Sequence, residues 1–80
     1  MATEVQLDID IDPNLHDSMK NDNNGETIKE IEEECGGIQV RFPREGFTGN
    51  RIFIRGPQDW VERGKDRVVE FAKQVEASRG

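Results

Sequence analysis

The hydrophobic residues of this chain change their spacing along its length, and those changes decide what it can fold into. Val5, Leu7, Ile9 and Ile11 alternate with Glu4, Gln6, Asp8, Asp10 and Asp12, the period-two pattern of a strand with one buried face. Ile28, Ile31 and Cys35 then fall three and four apart, on one face of a helix over 26–35 whose other face carries Lys29, Glu32 and Glu33. Ile38, Val40 and Phe42 return to period two as a second strand, which Pro43 ends, and Ile52 and Ile54 mark a third over 51–55. From Gln58 to Ser78, Val61, Val68, Phe71, Ala72 and Val75 form the stripe of one long helix that covers the sheet.

The joints follow from turn chemistry. Asp12-Pro13-Asn14 ends the first strand, and Asp12 or Asn14 can cap a short helical turn carrying Leu15 and Met19 toward the core. Residues 20–25, Lys-Asn-Asp-Asn-Asn-Gly, hold no apolar side chain and tolerate left-handed backbone angles, so an exposed loop is expected. Gly36-Gly37 stops the second helix, Gly56-Pro57 separates the third strand from the last helix, and 43–50 is a polar hairpin connection carrying Phe47. Gly64 within the last helix costs roughly 1 kcal/mol against alanine, which points either to simple drift or, the favoured reading, to close helix–strand approach.

Eighty residues make one small domain, read as 4–78 with tails at 1–3 and 79–80. With 32% of residues hydrophobic and 35% charged, the composition permits a thin two-layer core and no broad interior. There is no apolar run of about 18 residues, no signal-peptide pattern and no lipidation signature. No membrane partner is expected, and the expected location is the cytoplasm, with the nucleus also open. Single Cys35 and single His16 build neither an internal disulfide nor a metal site, and both are read as structural, with no metal or cofactor.

The net charge of −6 argues against a polyanionic partner only until it is divided. Residues 1–34 carry eleven acidic and two basic side chains, whereas 35–80 carry six acidic and nine basic. A phosphate-facing surface would draw on Arg41, Arg44, Arg51 and Arg55.

Four segments, Asp-Pro-Asn-Leu-His at 12–16, Ile-x-x-Ile at 28–31, Glu-Glu-Cys-Gly-Gly-Ile-Gln-Val-Arg-Phe-Pro at 33–43 and Ile-Arg-Gly-Pro at 54–57, come in the order of one repeat of a known family. The chain resembles a type I KH domain of the vigilin kind, and the resemblance spans nearly all of it. It implies an α+β fold, β-α-α-β-β-α, with a three-stranded antiparallel sheet covered on one face by three helices. The function it implies is binding of single-stranded RNA, or single-stranded DNA, with neighbouring KH domains in a parent chain and a monomer in isolation. In that family a Gly-x-x-Gly loop lies against the nucleic-acid backbone, because residues without a Cβ let phosphates approach main-chain amides at a helix start. Gly25 matches the second glycine, Asp22 stands at the first, Asn21 occupies a place where the family prefers an aliphatic residue, and the stretch from His16 to Gly25 is slightly longer than the family pattern. Carried onto this chain, the contact set is Lys20, Asn23, Asn24, Gly25, Thr27, Ile28, Lys29, Ile38, Val40, Arg41 and Arg51, with Ile28, Ile38 and Val40 as apolar platform and Arg41 reaching a phosphate or base edge.

Other readings are weaker. Asp22, Asn24 and Gly25 fall at plausible calcium-loop positions, but Lys20 and Ile31 stand where ligand carboxylates are needed. No arrangement of nucleophile, acid, base or metal ligands supports an enzyme. Phe47 has the chemistry to stack on a base or, equally, to fold back on Phe53, Trp60 to cover an end of the core, and Glu32-Glu33-Glu34 reads as a solvated face. The alternative to nucleic-acid binding is a degenerate or deliberately altered KH unit that spaces or docks its neighbours, and Asp22 is the residue that separates the two.

Overall fold

The computed structural model describes residues 3–43 and 49–79, so Arg44, Phe47 and most of the hairpin connection lie outside the described residues. The chain forms β1 (Glu4–Asp10), α1 (Pro13–Asn21), a short 3-10 turn (Asp22–Gly25), α2 (Glu26–Glu34), β2 (Gln39–Arg41), β3 (Arg51–Pro57) and α3 (Gln58–Arg79). The strands make one antiparallel sheet in the order β1-β3-β2. Alternation sends Ile9, Val40, Ile52 and Ile54 to one face, where Leu15, Met19, Ile31, Val61 and Val68 of the helices meet them. The other face carries the charged residues of β1 and β3 in water. This is the type I KH arrangement.

Local chemistry sets the element ends. Asp12 caps α1: its carboxylate accepts a hydrogen bond from the Asn14 N–H at 2.9 Å, with Pro13 in the first turn where no N–H is needed. The helix runs nine residues, longer than the single turn expected, because Leu15, His16 and Met19 all find buried places on one side. β1 stops at Asp10, one residue before the alternating pattern does. Ile11 is still buried, and its N–H donates to the Asn50 carbonyl at 2.8 Å, a lone bond past the end of the ladder. β3 continues through Gly56 and Pro57 instead of breaking there, since β1 runs opposite it as far as Glu4, and the Gln58 N–H then donates to the Thr3 carbonyl.

Gly56 and Gly64 share one cause. Ile38, just before β2, is 1% exposed and lies between them. A methyl group on Gly56 would fall 2.7 Å from Ile38 Cγ2 and 3.1 Å from Ile38 Cα, and a methyl on Gly64 would run into Ile38 Cδ1. The close helix–strand approach expected at Gly64 is therefore present.

His16 and Cys35 are both buried. The Nε2–H of His16 donates to the Ile11 carbonyl at 2.9 Å, fixing the turn between β1 and α1, and its ring meets Phe42 edge-on at 5.7 Å. Burial pushes the Cys35 thiol above its ordinary pKa of 9.0, against a smaller opposing pull from Arg67, so at neutral pH it is a protonated packing group. Trp60 packs its ring on Gly36, with Arg63 5.3 Å above it.

Because Gly56 meets the backbone of Ile38 as well as its side chain, Gly56→Ala is expected to cost about 1–3 kcal/mol. Urea unfolding measures it; an unchanged midpoint would mean that the contact yields freely.

Candidate nucleic-acid interface

The sheet order leaves β2 at an edge, and an edge strand has backbone groups without a ladder partner. Val40 faces Ile54 of β3 across the pair, yet its N–H points the other way, toward α2. In an antiparallel ladder a residue that turns its N–H away from its neighbour turns its carbonyl away too, so Val40 presents a donor and an acceptor on the open side. Between this edge and α2 lies a groove of about 430 Å³, lined by Glu32, Glu33, Gly37, Ile38, Gln39, Val40 and Arg41.

At the start of α2 the backbone makes a tight turn. Asn23, Asn24 and Gly25 adopt positive φ of 51°, 58° and 86° in succession. Asparagine tolerates that region better than other side chains, and glycine enters it freely, which is why a run of asparagines ending in glycine can form the turn. Of the segment expected as an open loop, Lys20 and Asn21 belong to α1, and the next four residues make a tight kink whose left-handed Asn23 and Asn24 are not helical before α2 begins. Asp22 does not point away from the helix. Its Oδ2 accepts a hydrogen bond from the Thr27 hydroxyl at 2.5 Å, placing a carboxylate beside the positive end of α2 with Glu26 also in its first turn.

The candidate residues divide by position. Asn23, Asn24, Gly25, Thr27 and Lys29 lie on the turn and the first part of α2, with Asn23, Asn24 and Lys29 exposed. Ile28 is half-buried against the core. Lys20, in the last turn of α1, is exposed, with its Nζ 6.0 Å from the centre of the Phe42 ring. Val40 and Arg41 line the groove from β2. Ile38 lines it too, but its side chain is sealed between glycines and offers the groove little apolar surface. Arg51 is not brought to this site. It lies on the helix-free face of the sheet and pairs with Asp8 at 2.8 Å and Asp10 at 3.6 Å.

Four groove residues, Glu32, Glu33, Gly37 and Gln39, escaped the sequence reading, and Glu32 is the one whose carboxylate holds the edge strand. Glu32, counted there with Glu33 and Glu34 as a solvated face, is half-buried, and its Oε2 accepts the Val40 N–H at 2.9 Å. The signal was available: Glu32 follows Ile28 by four, which puts the two on the same side of α2. Glu34, by contrast, turns to α3 and pairs with Arg67 at 3.1 Å. Among the described residues no group of three or more His, Cys, Asp or Glu side chains is placed to hold a metal ion, and no helix is long and apolar enough to cross a membrane.

The sequence model of the KH domain matches residues 22–70, a stretch that holds the turn, α2, the whole groove and most of α3. The chain belongs to the KH domain family. Within it the likeness is to vigilin: the chain is 34% identical to human vigilin over 92% of its length, and 35% identical to chicken vigilin over 66%. It spans only 6% of the length of the human protein. Among solved structures, the eighth KH type I domain of human vigilin matches with a TM-score of 0.79 and 35% identity, covering 90% of this chain and 75% of that one. The fourteenth matches with a TM-score of 0.81 at 22% identity, covering all of this chain and 87% of that one, a likeness of fold.

The positive-φ turn makes a stability prediction. Asn23→Val and Asn24→Val should each lower the unfolding free energy by about 1–2 kcal/mol, because a branched side chain is strained in the left-handed region. Glycine at either place should be near neutral, and thermal or urea unfolding of the four variants decides between strain and a lost side-chain contact.

Proposed function

We propose that this domain binds single-stranded nucleic acid, RNA in the first instance, in the groove between α2 and β2, as one nonenzymatic module of a longer multi-KH chain. The observation that carries the reading is the groove itself: an edge strand with backbone hydrogen-bonding groups facing a helix whose N-terminus opens on a glycine turn, in a chain that belongs to the KH family. KH domains clamp about four nucleotides in such a place, holding the backbone at the Gly-x-x-Gly loop. Here the backbone would pass Gly25 and Thr27, the bases would lie toward Val40, and Lys20, Lys29 and Arg41 would supply the positive charge. A single-stranded ligand fits because unstacked bases expose edges that main-chain groups can read, whereas a duplex does not.

The carboxylate of Asp22 limits this binding. It competes with a phosphate for the start of α2 and holds the hydroxyl of Thr27. Affinity in isolation is therefore weak, and tandem neighbours would raise it through effective concentration. The same hydrogen bond favours a second reading, a KH unit that has given up nucleic acid and spaces or docks its neighbours.

Fluorescence anisotropy with pooled short single-stranded RNAs at low salt tests the choice. Under the binding reading Asp22→Gly tightens the complex about threefold to tenfold, with log K falling against log salt by about 0.7 per phosphate contacted. An absence of binding by both the wild-type domain and Asp22→Gly would leave the spacer reading standing.

A further inference from the structure

We infer that Glu32 is a built-in competitor for the groove, occupying with its own carboxylate the edge-strand donor that a bound base would use; this rests on the nucleic-acid reading above. The Val40 N–H is on the unpaired side of β2 and opens onto the groove, where the Glu32 Oε2 accepts it at 2.9 Å. The contact is partly buried and charge-assisted, so it is stronger than the bond between an exposed amide and water. A base edge that brings an acceptor to Val40 must first displace the carboxylate. The Val40 carbonyl and the displaced Glu32 then leave that wall of the groove rich in acceptors, with Glu33 adding a second negative charge along the same helix.

The position of Glu32 makes this more than an overall charge effect. Glu33 also lines the groove and carries the same charge, but Glu32 alone of the two has its carboxylate on the Val40 N–H. Occupancy of a donor and repulsion of a phosphate are thus assigned to neighbouring residues and can be measured apart. A similar pairing closes the other end of the site, where Asp22 holds the Thr27 hydroxyl. Two donors that a ligand would use, the Val40 N–H and the Thr27 hydroxyl, are thus already engaged, which sets a threshold that a ligand must exceed.

The test compares wild type, Glu32→Ala, Glu32→Gln and Glu33→Ala for binding of the same pooled single-stranded RNAs at one low salt concentration, with hydrogen exchange of the Val40 amide read by NMR. Competition predicts faster Val40 exchange and about tenfold tighter binding for Glu32→Ala. Glu32→Gln, whose amide oxygen can still accept from Val40, should tighten less, and Glu33→Ala, which removes a charge without touching Val40, should leave Val40 exchange unchanged and also tighten less. If Glu33→Ala or Glu32→Gln tightens binding as much as Glu32→Ala, the effect is charge alone and the inference is overturned. It is overturned equally if the wild-type domain binds and Glu32→Ala, with its Val40 amide released, binds no more tightly. If no protein in the set binds while Val40 is released, the nucleic-acid reading itself has failed, and the competition with it.

Discussion

The seating of Ile38 between Gly56 and Gly64 is the constraint from which the rest of the structure follows. Interiors pack at near-crystalline density, so an isoleucine enters a gap between a strand and a helix only where the neighbours give up their side chains. Here both do. The result holds the short β2 against β3 from one side and α3 from the other, although its ladder pairs only three residues. With β2 fixed, its free edge faces α2 at the distance where Glu32 reaches Val40, and the groove exists because a buried contact behind it holds the edge in place.

The charges around this groove are arranged unevenly. Carboxylates occupy the helix side, at Asp22, Glu26, Glu32 and Glu33, while Arg41 stands on the strand side. The arginines of β3 are spent elsewhere: Arg51 pairs with Asp8 and Asp10, and Arg55 pairs with Glu4 at 3.1 Å, across the helix-free face. Exposed pairs of this kind add little stability, but they tie up cations that the sequence alone would assign to a phosphate. The acidic first half of the chain is therefore not a remote solvated surface. Part of it neutralises β3, and part of it lies in the site.

Most of the fold was legible because its signals are periodic. The alternation of Val5 to Ile9, the helical spacing of Ile28, Ile31 and Cys35, and the stripe from Val61 to Val75 each depend on one element burying one face, and each element formed with that face inward. Gly64 was legible as a close approach for the same reason. What was less legible depends on pairings between distant segments. Nothing in Gly56-Pro57 says that β1 runs far enough to keep β3 paired, and nothing in Asn-Asp-Asn-Asn-Gly says that α1 will continue into it. Val40 and Arg41 lie in the groove and Gly25 and Thr27 at the start of α2, because the β2 strand and the local run into α2 place them there. Arg51 fell away from the groove because the direction of a strand side chain depends on register, and Glu32 was hidden in a charge run whose members divide between the groove and α3.

The central claim is that the α2–β2 groove is the surface this domain presents to nucleic acid. An NMR titration of labelled protein with short single-stranded RNA, at stated low salt, tests it most directly by mapping which amides move. If nucleic acid enters that groove, Gly25, Thr27, Val40 and Arg41 shift together and return as salt rises. Shifts confined to Arg51, Phe53 and Arg55 on the helix-free face, or none at millimolar RNA, would contradict it.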